Sequence, residues 1–574
     1  MARNLADVFV ETLVLAGIKR VYGLVGDSLN GLTEAIRRNG AIEWIHVRNE
    51  ESAAFAAGAD AHLTGAIAVC AGSCGPGNLH LVNGLFDCHR NRVPVLAIAA
   101  QIPSSEIGSG YFQETHPERL FQECSHFCEL VSSGTQFPRI LAIALRTAVI
   151  RRGVSVIVLP GDVAMHDCDS PAMGLGILDS ASTTLPSDAE LAMAASMIDD
   201  GRKVTILAGA GCQGAHAELI ALAHRIKAPI VHALRGKEFV EHDNPFDVGM
   251  TGLLGFSSGY RAMMHCDLLL VLGSDFPYSQ FYPEMTRIVQ VDIRGEQIGR
   301  RVPVDLGLVG SVRETVAALL PLLSEKSDRT HLDSNLAHYR KTRSDFDDLA
   351  EDAKGRTPIH PQTVAKMLNE LASEDAVFTC DVGTPTVWAA RYLHMNGKRR
   401  LLGSFIHGSM ANALPQAIGA QVAFPGRQVV ALSGDGGLAM LLGDLLTLPQ
   451  LRLPVKVVVF NNGSLGFVEV EMKAAGLIEF GTDLVNPDFA KLAESAGILG
   501  LRVEKPGELG SALKKALAHD GPALVDVIVN RNELPMPPKI GARQALGFGL
   551  YMLKAVLNGR GDDVVDLVTS NLIR

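Results

Sequence analysis

Residues 429–437 read VVALSGDGG and residues 455–462 read VKVVVFNN. Each stretch opens with a short run of β-branched apolar residues, long enough for one strand buried on both faces, and stops at Gly, Asp or Asn, which favour a turn. Strands of that kind belong to open parallel sheets, whose ligands lie in the crevice outside the carboxyl ends of the strands. The two polar loops, 434–437 and 461–462, are therefore expected to face one crevice.

The same alternation runs outward from this pair. AVFTCD (376–381) and ALVDVIV (523–529) flank it and define an α/β unit over residues 359–530. A first unit over residues 1–168 carries AIAVCAG (66–72), VPVLAIAA (93–100) and VSVIVLP (154–160), the last strand ending near Asp162. A middle unit, 190–323, carries KVTILAGAG (203–211), LLLVLGS (268–274) and RIVQVDI (287–293). Residues 169–190, rich in Ser, Thr, Pro and Gly, read as a linker, and the polar stretch 324–357 as a helical one. Residues 531–574, opening with ELPMPP, read as a tail. The fold class expected is α/β: three doubly wound parallel-sheet domains and a short C-terminal amphipathic tail.

A formal net charge of −10 and no clustered Lys/Arg stripe exclude a nucleic-acid surface. Nine cysteines lack zinc-like spacing and read as reduced, mostly buried thiols. MARNLADVFVETL has no basic stretch followed by an apolar segment, so a cytosolic compartment is expected. Apolar runs such as 93–100 and 455–460 fall far short of the roughly 20 residues that span a bilayer.

In the deciding pair, the Asp435 carboxylate and the Asn462 amide oxygen suit a hard divalent cation, and the glycines let backbone N–H groups approach a diphosphate. The pair resembles the thiamine-diphosphate and magnesium motif of thiamine-diphosphate enzymes. That resemblance implies Mg2+ held by Asp435, the Asn462 side chain and the Ser464 carbonyl. It also implies thiamine diphosphate against Gly436, Gly437, Gly463, Leu465, Gly466 and Phe467. Upstream, Arg48-Asn49-Glu50-Glu51 precedes the small-residue helix SAAFAAGADA, and Glu50 stands where such enzymes place the glutamate that protonates the aminopyrimidine. Acidic capping of a helix is the plainer reading of Glu50 taken alone. In His407-Gly408-Ser409-Met410, Gly408 and Ser409 would meet the cofactor and Met410 would wedge between its rings, though a lone Met is commonly a core filler.

The middle unit's 209–214 satisfies GxGxxG but lacks the acidic residue about 20 positions on that a dinucleotide fingerprint needs. Its stretches HALRGKE, GMTGLLGFSSG, GSDFPYSQFYP and VDI resemble the flavin domain of the pyruvate oxidases, the family that includes quinone-reducing pyruvate dehydrogenases. The resemblance implies FAD held by Thr251, Gly252, Leu253, Leu254, Ser274, Asp275, Phe276, Pro277, Tyr278 and Asp292. It continues through GDS (26–28), the stretch 70–100 and GSGYFQETHPERLFQECSH, placing Ser28, Phe112, Phe121, Gln122, Phe467 and Glu471 around a small 2-oxo acid. His89, His116 and His407 read as structural.

The tail sequence GDDVVDLVTSNLIR sets Val564, Leu567, Val568 and Leu572 on one helical side and Asp562, Asp563 and Asp566 elsewhere. Quinone-reducing members of the family use this segment for reversible attachment to the membrane lipid surface. Where a quinone-reducing relative carries a Trp and a Lys, this chain has Leu572 and Thr569, a smaller interfacial anchor. The resemblance implies oxidative decarboxylation of pyruvate to acetate and CO2 through FAD to ubiquinone, by a homotetramer peripherally associated with the inner membrane. Acetolactate synthase and oxygen-dependent pyruvate oxidase are the enzymatic alternatives. A non-catalytic flavin-binding or docking protein is the alternative of another class, and the intact set Glu50, Asp435 and Asn462 opposes it.

Overall fold

The computed structural model describes residues 3–174, 183–534 and 542–557, with residues 564, 565, 567 and 571 beyond them. Three six-stranded sheets make up the chain. The first runs in the order Glu43–His46, Arg20–Gly23, Ala68–Gly72, Val95–Gln101, Val154–Pro160, Phe127–Leu130. The middle sheet runs Leu306–Val309, Arg287–Asp292, Leu268–Leu272, Val204–Ala208, Ile230–His232, Asp247–Met250, and the third Arg400–Gly403, Val377–Cys380, Val429–Gly434, Lys456–Asn461, Ala523–Ile528, Leu499–Val503. Every pairing is parallel, and the central strands are buried throughout, which is why they read as unbroken apolar runs. The α/β fold of three doubly wound sheets is therefore as the sequence implied.

In each sheet the strand order reverses beside its first strand, and there the chain leaves adjacent strands in opposite directions and opens a crevice. The GDG loop lies at that point of the third sheet, the loop with Ser28 at that of the first, and Gly209 and Ser274 at that of the middle one.

Helix α1, Glu50–Thr64, is capped at its start by the Asn49 side chain, which accepts from the Glu51 N–H, and stopped by Gly65 at φ 72°. Its Ala and Gly surface is buried on nearly every side. It packs between α2, Pro76–Asn91, of the first domain and α3, Ala413–Ala423, of the third. The approach is so close that a Cβ on Gly419 would fall on the Ala56 carbonyl oxygen. One hydrophobic core, from Tyr22 and Ala57 to Ile418 and Leu524, serves both domains.

The structure adds detail to two connections. The linker read as 169–190 ends by Ser187, because Ser187 and Glu190 form a capping box that starts the helix Asp188–Asp200. The tail is not simply appended at Arg531. Arg531 pairs with Glu469 and Asp483, and Glu533 accepts from His360 and Gln362, so these residues belong to the third domain. Between the middle and third sheets a helix, Thr330–Asp352, fills most of the stretch read as a helical linker. All nine cysteines are free and all but Cys128 buried.

Candidate active site

Asp435 opens the turn after Val429–Gly434 and is 3% exposed. Its Oδ1 accepts from the Gly436 N–H at 3.0 Å, and its Oδ2 from the Gly463 N–H and from Asn486 Nδ2, both at 2.7 Å. The loop after Lys456–Asn461 is thus bound directly to the GDG loop. The Asn462 Oδ1 accepts from the Ser464 N–H at 3.1 Å. Burial raises the Asp435 carboxyl, and its hydrogen bonds, all from neutral donors, offset this only in part. A buried carboxylate bonded to the loop that carries the Asn462 amide oxygen and the Ser464 carbonyl, with no cationic side chain bonded to it, is a donor set that fits Mg2+.

Beside it, a methyl on Gly437 would strike the Asp381 carboxylate, and one on Gly436 would stand 3.3 Å from Met410 Cε. Met410 and the GDG loop are therefore brought together. Asp381 ties them: it accepts from the N–H groups of Ala413 at 2.9 Å and Gly434 at 3.2 Å, and burial pushes its carboxyl up to about 7. Sequence reasoning missed Asp381 because its partners are far along the chain.

Glu50, 4% exposed, stands in the first turn of α1. Its Oε2 lies 2.9 Å from His80 Nδ1, and a Cβ on Gly77 would come within 2.9 Å of Oε1. The bonds from this region to the third domain run through its neighbours. Asn83 Nδ2 donates to Glu51 Oε1 (2.7 Å) and Ser409 Oγ (3.0 Å), and Asn83 Oδ1 lies 2.8 Å from His407 Nε2. Asp444 accepts from the Arg48 N–H at 2.9 Å and from Ser52 Oγ at 2.5 Å. Neither Asn83 nor Asp444 carries a sequence signal of its own. His407 is a structural partner of Asn83, and His89 packs edge-on to His126 at 4.4 Å, pushed down to about 4 by burial, then by His126 and nearby arginines. His116 caps a four-residue turn on the surface.

A cavity of about 2000 Å3 lies where the three domains meet, well above the 300–1,000 Å3 usual for a small-molecule site. Thr251, Gly252, Leu253, Leu254, Ser274, Asp275, Phe276, Pro277, Tyr278 and Asp292 all line it, and so do Phe467 and Glu471 from helix α4, Gly466–Ala474. The buried hydroxyls of Thr251 and Ser274 have no hydrogen-bond partner. Two unsatisfied hydroxyls on the wall of a cavity of this volume fit a large polar group such as FAD.

Ser28, Phe112, Phe121 and Gln122 are not on that wall. Ser28 Oγ bonds Ser73 Oγ at 2.8 Å, Phe121 is fully buried in the core shared with the third domain, Gln122 is exposed, and Phe112 is 77% exposed on a loop.

The cavity's remaining wall comes from the tail. Helix α5, Ala542–Leu557, which the sequence reading did not single out, packs on α4, with Tyr551, Ala555 and Leu567 buried in one cluster. Phe548, Met552 and Leu567 reach the cavity. Of the amphipathic set, Val564 and Leu567 are described, whereas Asp562, Asp563, Asp566, Val568 and Leu572, and Thr569, lie outside the described residues. No helix among the described residues is long and apolar enough to cross a membrane.

Comparison with known proteins agrees with this geometry. Residues 3–120 match the thiamine pyrophosphate enzyme N-terminal TPP binding domain, 191–319 its central domain and 381–527 its C-terminal TPP binding domain. The chain is 38% identical to the thiamine pyrophosphate-containing protein YdaP of Bacillus subtilis, over 96% of each chain. It is 29% identical to pyruvate oxidase of Lactiplantibacillus plantarum, over 92% of this chain and 89% of that one. To acetolactate synthase of Mycobacterium bovis it is 30% identical, over 93% and 89%. Buried Glu50, the joined Asp435 and Asn462 loops and these matches lead to one conclusion: the chain is an enzyme of the thiamine pyrophosphate family.

Proposed function

We propose that the enzyme decarboxylates pyruvate oxidatively to acetate and CO2 and passes the electrons through FAD to ubiquinone at a membrane surface. Thiamine diphosphate, when bound, supplies an electron sink for decarboxylation, and FAD a two-electron acceptor. Asp435, Asn462 and the Ser464 carbonyl hold Mg2+ against the diphosphate, with Gly436, Gly437, Gly463, Leu465 and Gly466 allowing backbone approach. Glu50 would hold a proton at the pyrimidine nitrogen, and Gly408, Ser409 and Met410 would hold the cofactor between the two loops. Phe467 and Glu471 border both substrate and flavin. In the assembled enzyme, Ser28, Phe112 and Gln122 approach the substrate across a subunit interface, with Phe121 backing them from the core, each site being built from the first domain of one subunit and the third of another in a homotetramer.

The observation that carries this reading is the convergence of Thr251, Ser274 and Asp292 with Phe467 and Glu471 in one cavity that the tail helix also lines. A tail that docks there and also binds lipid would bring the flavin within reach of membrane quinone, which favours ubiquinone over oxygen as acceptor. Acetolactate synthase is the second reading, since it matches the chain equally well in identity. The test is anaerobic mixing with pyruvate, thiamine diphosphate and Mg2+, then addition of a ubiquinone analogue. Flavin bleaching reversed by quinone, with acetate formed, is expected. Acetolactate with a flavin that stays oxidised would replace the proposal by the second reading, and acetyl phosphate with oxygen consumption would make the enzyme a pyruvate oxidase.

A further inference from the structure

The cavity's charge is uneven. The chain as a whole carries −10, yet Arg92, Arg235 and Arg294 stand together, half-buried, on the wall shared by the first and middle domains. The nearby carboxylates are shared with other partners. Glu238 is bonded to Arg400 at 2.7 Å and His62 at 3.2 Å, and Asp87 accepts from Gln416 at 3.3 Å and Asn91 at 2.9 Å. Asp87 and Glu238 act on Arg235, and Asp292 lies 3.7 Å from Arg294 Nε, which is buried without a hydrogen bond. Arg235 donates to the Asn91 carbonyl at 3.1 Å, the last residue of α2.

Arg92 follows directly. It occupies the position that ends α2 with a left-handed backbone, φ 61°, where Gly is the unstrained choice. Its guanidinium forms no ion pair among the described residues. Burial, then the charge of Arg294, pushes it down to about 10. Asp292 offsets this charge only in part, and a strained backbone that holds a guanidinium without an ion pair beside two others is costly for the protein alone and favourable once a polyanion sits among them. The guanidinium fork matches phosphate oxygens, and the size of the cavity calls for an extended ligand rather than a single phosphate.

We propose that Arg92, Arg235 and Arg294 form the anion pole of the cavity and take the diphosphate of the bound dinucleotide, with Arg92 reaching from the first domain so that the ligand fastens that domain to the middle one. This rests on the reading of the cavity as a flavin site. It gives the dinucleotide a second role: it completes a domain contact that the protein leaves electrostatically open.

The test compares wild type, Arg92→Gln and Arg92→Lys as full chains. Flavin release from the isolated enzyme is followed in rising salt by the emission of freed flavin. Binding of FAD, riboflavin and ADP to the flavin-depleted protein is measured by calorimetry. Arg92→Gln is expected to weaken FAD and ADP about ten- to a hundredfold, as for loss of a charged hydrogen bond, to leave riboflavin unchanged and to flatten the salt dependence. It should also shrink the rise in melting temperature that FAD gives, and Arg92→Lys should recover part of each effect. Equal weakening of riboflavin, or FAD and ADP bound as in wild type, overturns the proposal. If wild type binds neither flavin, the flavin reading fails by itself. ADP then decides: binding lost in Arg92→Gln upholds the anion pole, and no ADP binding by wild type overturns it.

Discussion

Glu50 has little freedom. The Asn49 cap fixes the first turn of α1, His80 holds one carboxylate oxygen, and Gly77 leaves just enough room for the other. A carboxyl so placed suits proton control, and Glu50→Gln keeps the shape while removing the acid. Turnover should fall by about 10²–10⁴-fold, with thiamine diphosphate affinity nearly unchanged by calorimetry. Full turnover with the cofactor bound would remove Glu50 from that role. Gly437 offers a complementary test of the loop beneath. Gly437→Ala drives a methyl into the Asp381 carboxylate, which the N–H groups of Ala413 and Gly434 keep in place. Overpacking of this kind costs about 1–3 kcal/mol. It should appear as a lower melting temperature and weaker thiamine diphosphate binding, and a variant that binds as wild type would show that the loop has slack. Asp435, Asn462 and Glu50 could be picked out in the sequence because each stands next to a strand end or helix start with a recognisable pattern. Asp381, Asn83 and Asp444 could not, since each acts through a partner in another domain or loop.

At the scale of elements, the strands were the most legible feature, because burial on both faces writes itself as an apolar run bounded by Gly or Pro. Helix α5 was not legible: it follows a Pro-rich stretch, and its buried side is defined by α4 and by Leu534, Val564 and Leu567 of the same tail. Nor does any pattern mark Glu238, in the middle domain, which accepts from His62 of α1 and from Arg400 of the third domain and so joins all three. Burial alone would raise this carboxyl, but the His62 hydrogen bond and the Arg400 charge overcome it and hold it at about 2, against an ordinary 4.5. A folded value below the unfolded one means that the stabilisation is complete above about pH 4.5 and is lost as pH falls toward 2. Glu238→Gln should therefore destabilise the protein at neutral pH by about 3 kcal/mol, measured by denaturant unfolding. The gap between variant and wild type should close on acidification through that window. A gap that stays constant down to pH 2 would mean that the carboxylate charge contributes nothing.

At the scale of the whole molecule, the last sheet strand ends at Ile528 and the third domain closes with the contacts of Arg531 and Glu533, so the rest of the tail is free to serve something other than folding. Its described part lines the cavity through Phe548, Met552 and Leu567, and we take it to cover the cavity's opening. The area it buries there is small, centred on Tyr551, Ala555 and Leu567. A contact of that size is readily exchanged for another apolar surface, because burial is nearly non-directional and scales with area. Deleting residues 542–574 should leave the main unfolding transition close to that of the full chain. The open mouth should speed reoxidation of the reduced flavin by a water-soluble acceptor such as ferricyanide several-fold, as read by stopped flow. The same deletion should abolish co-sedimentation with phospholipid vesicles. Faster reoxidation with vesicle binding retained would place the lipid contact elsewhere on the surface. Slower reoxidation with an intact fold would mean that the tail shapes the site rather than covering it, and the route from flavin to quinone would then have to run through another wall of the cavity.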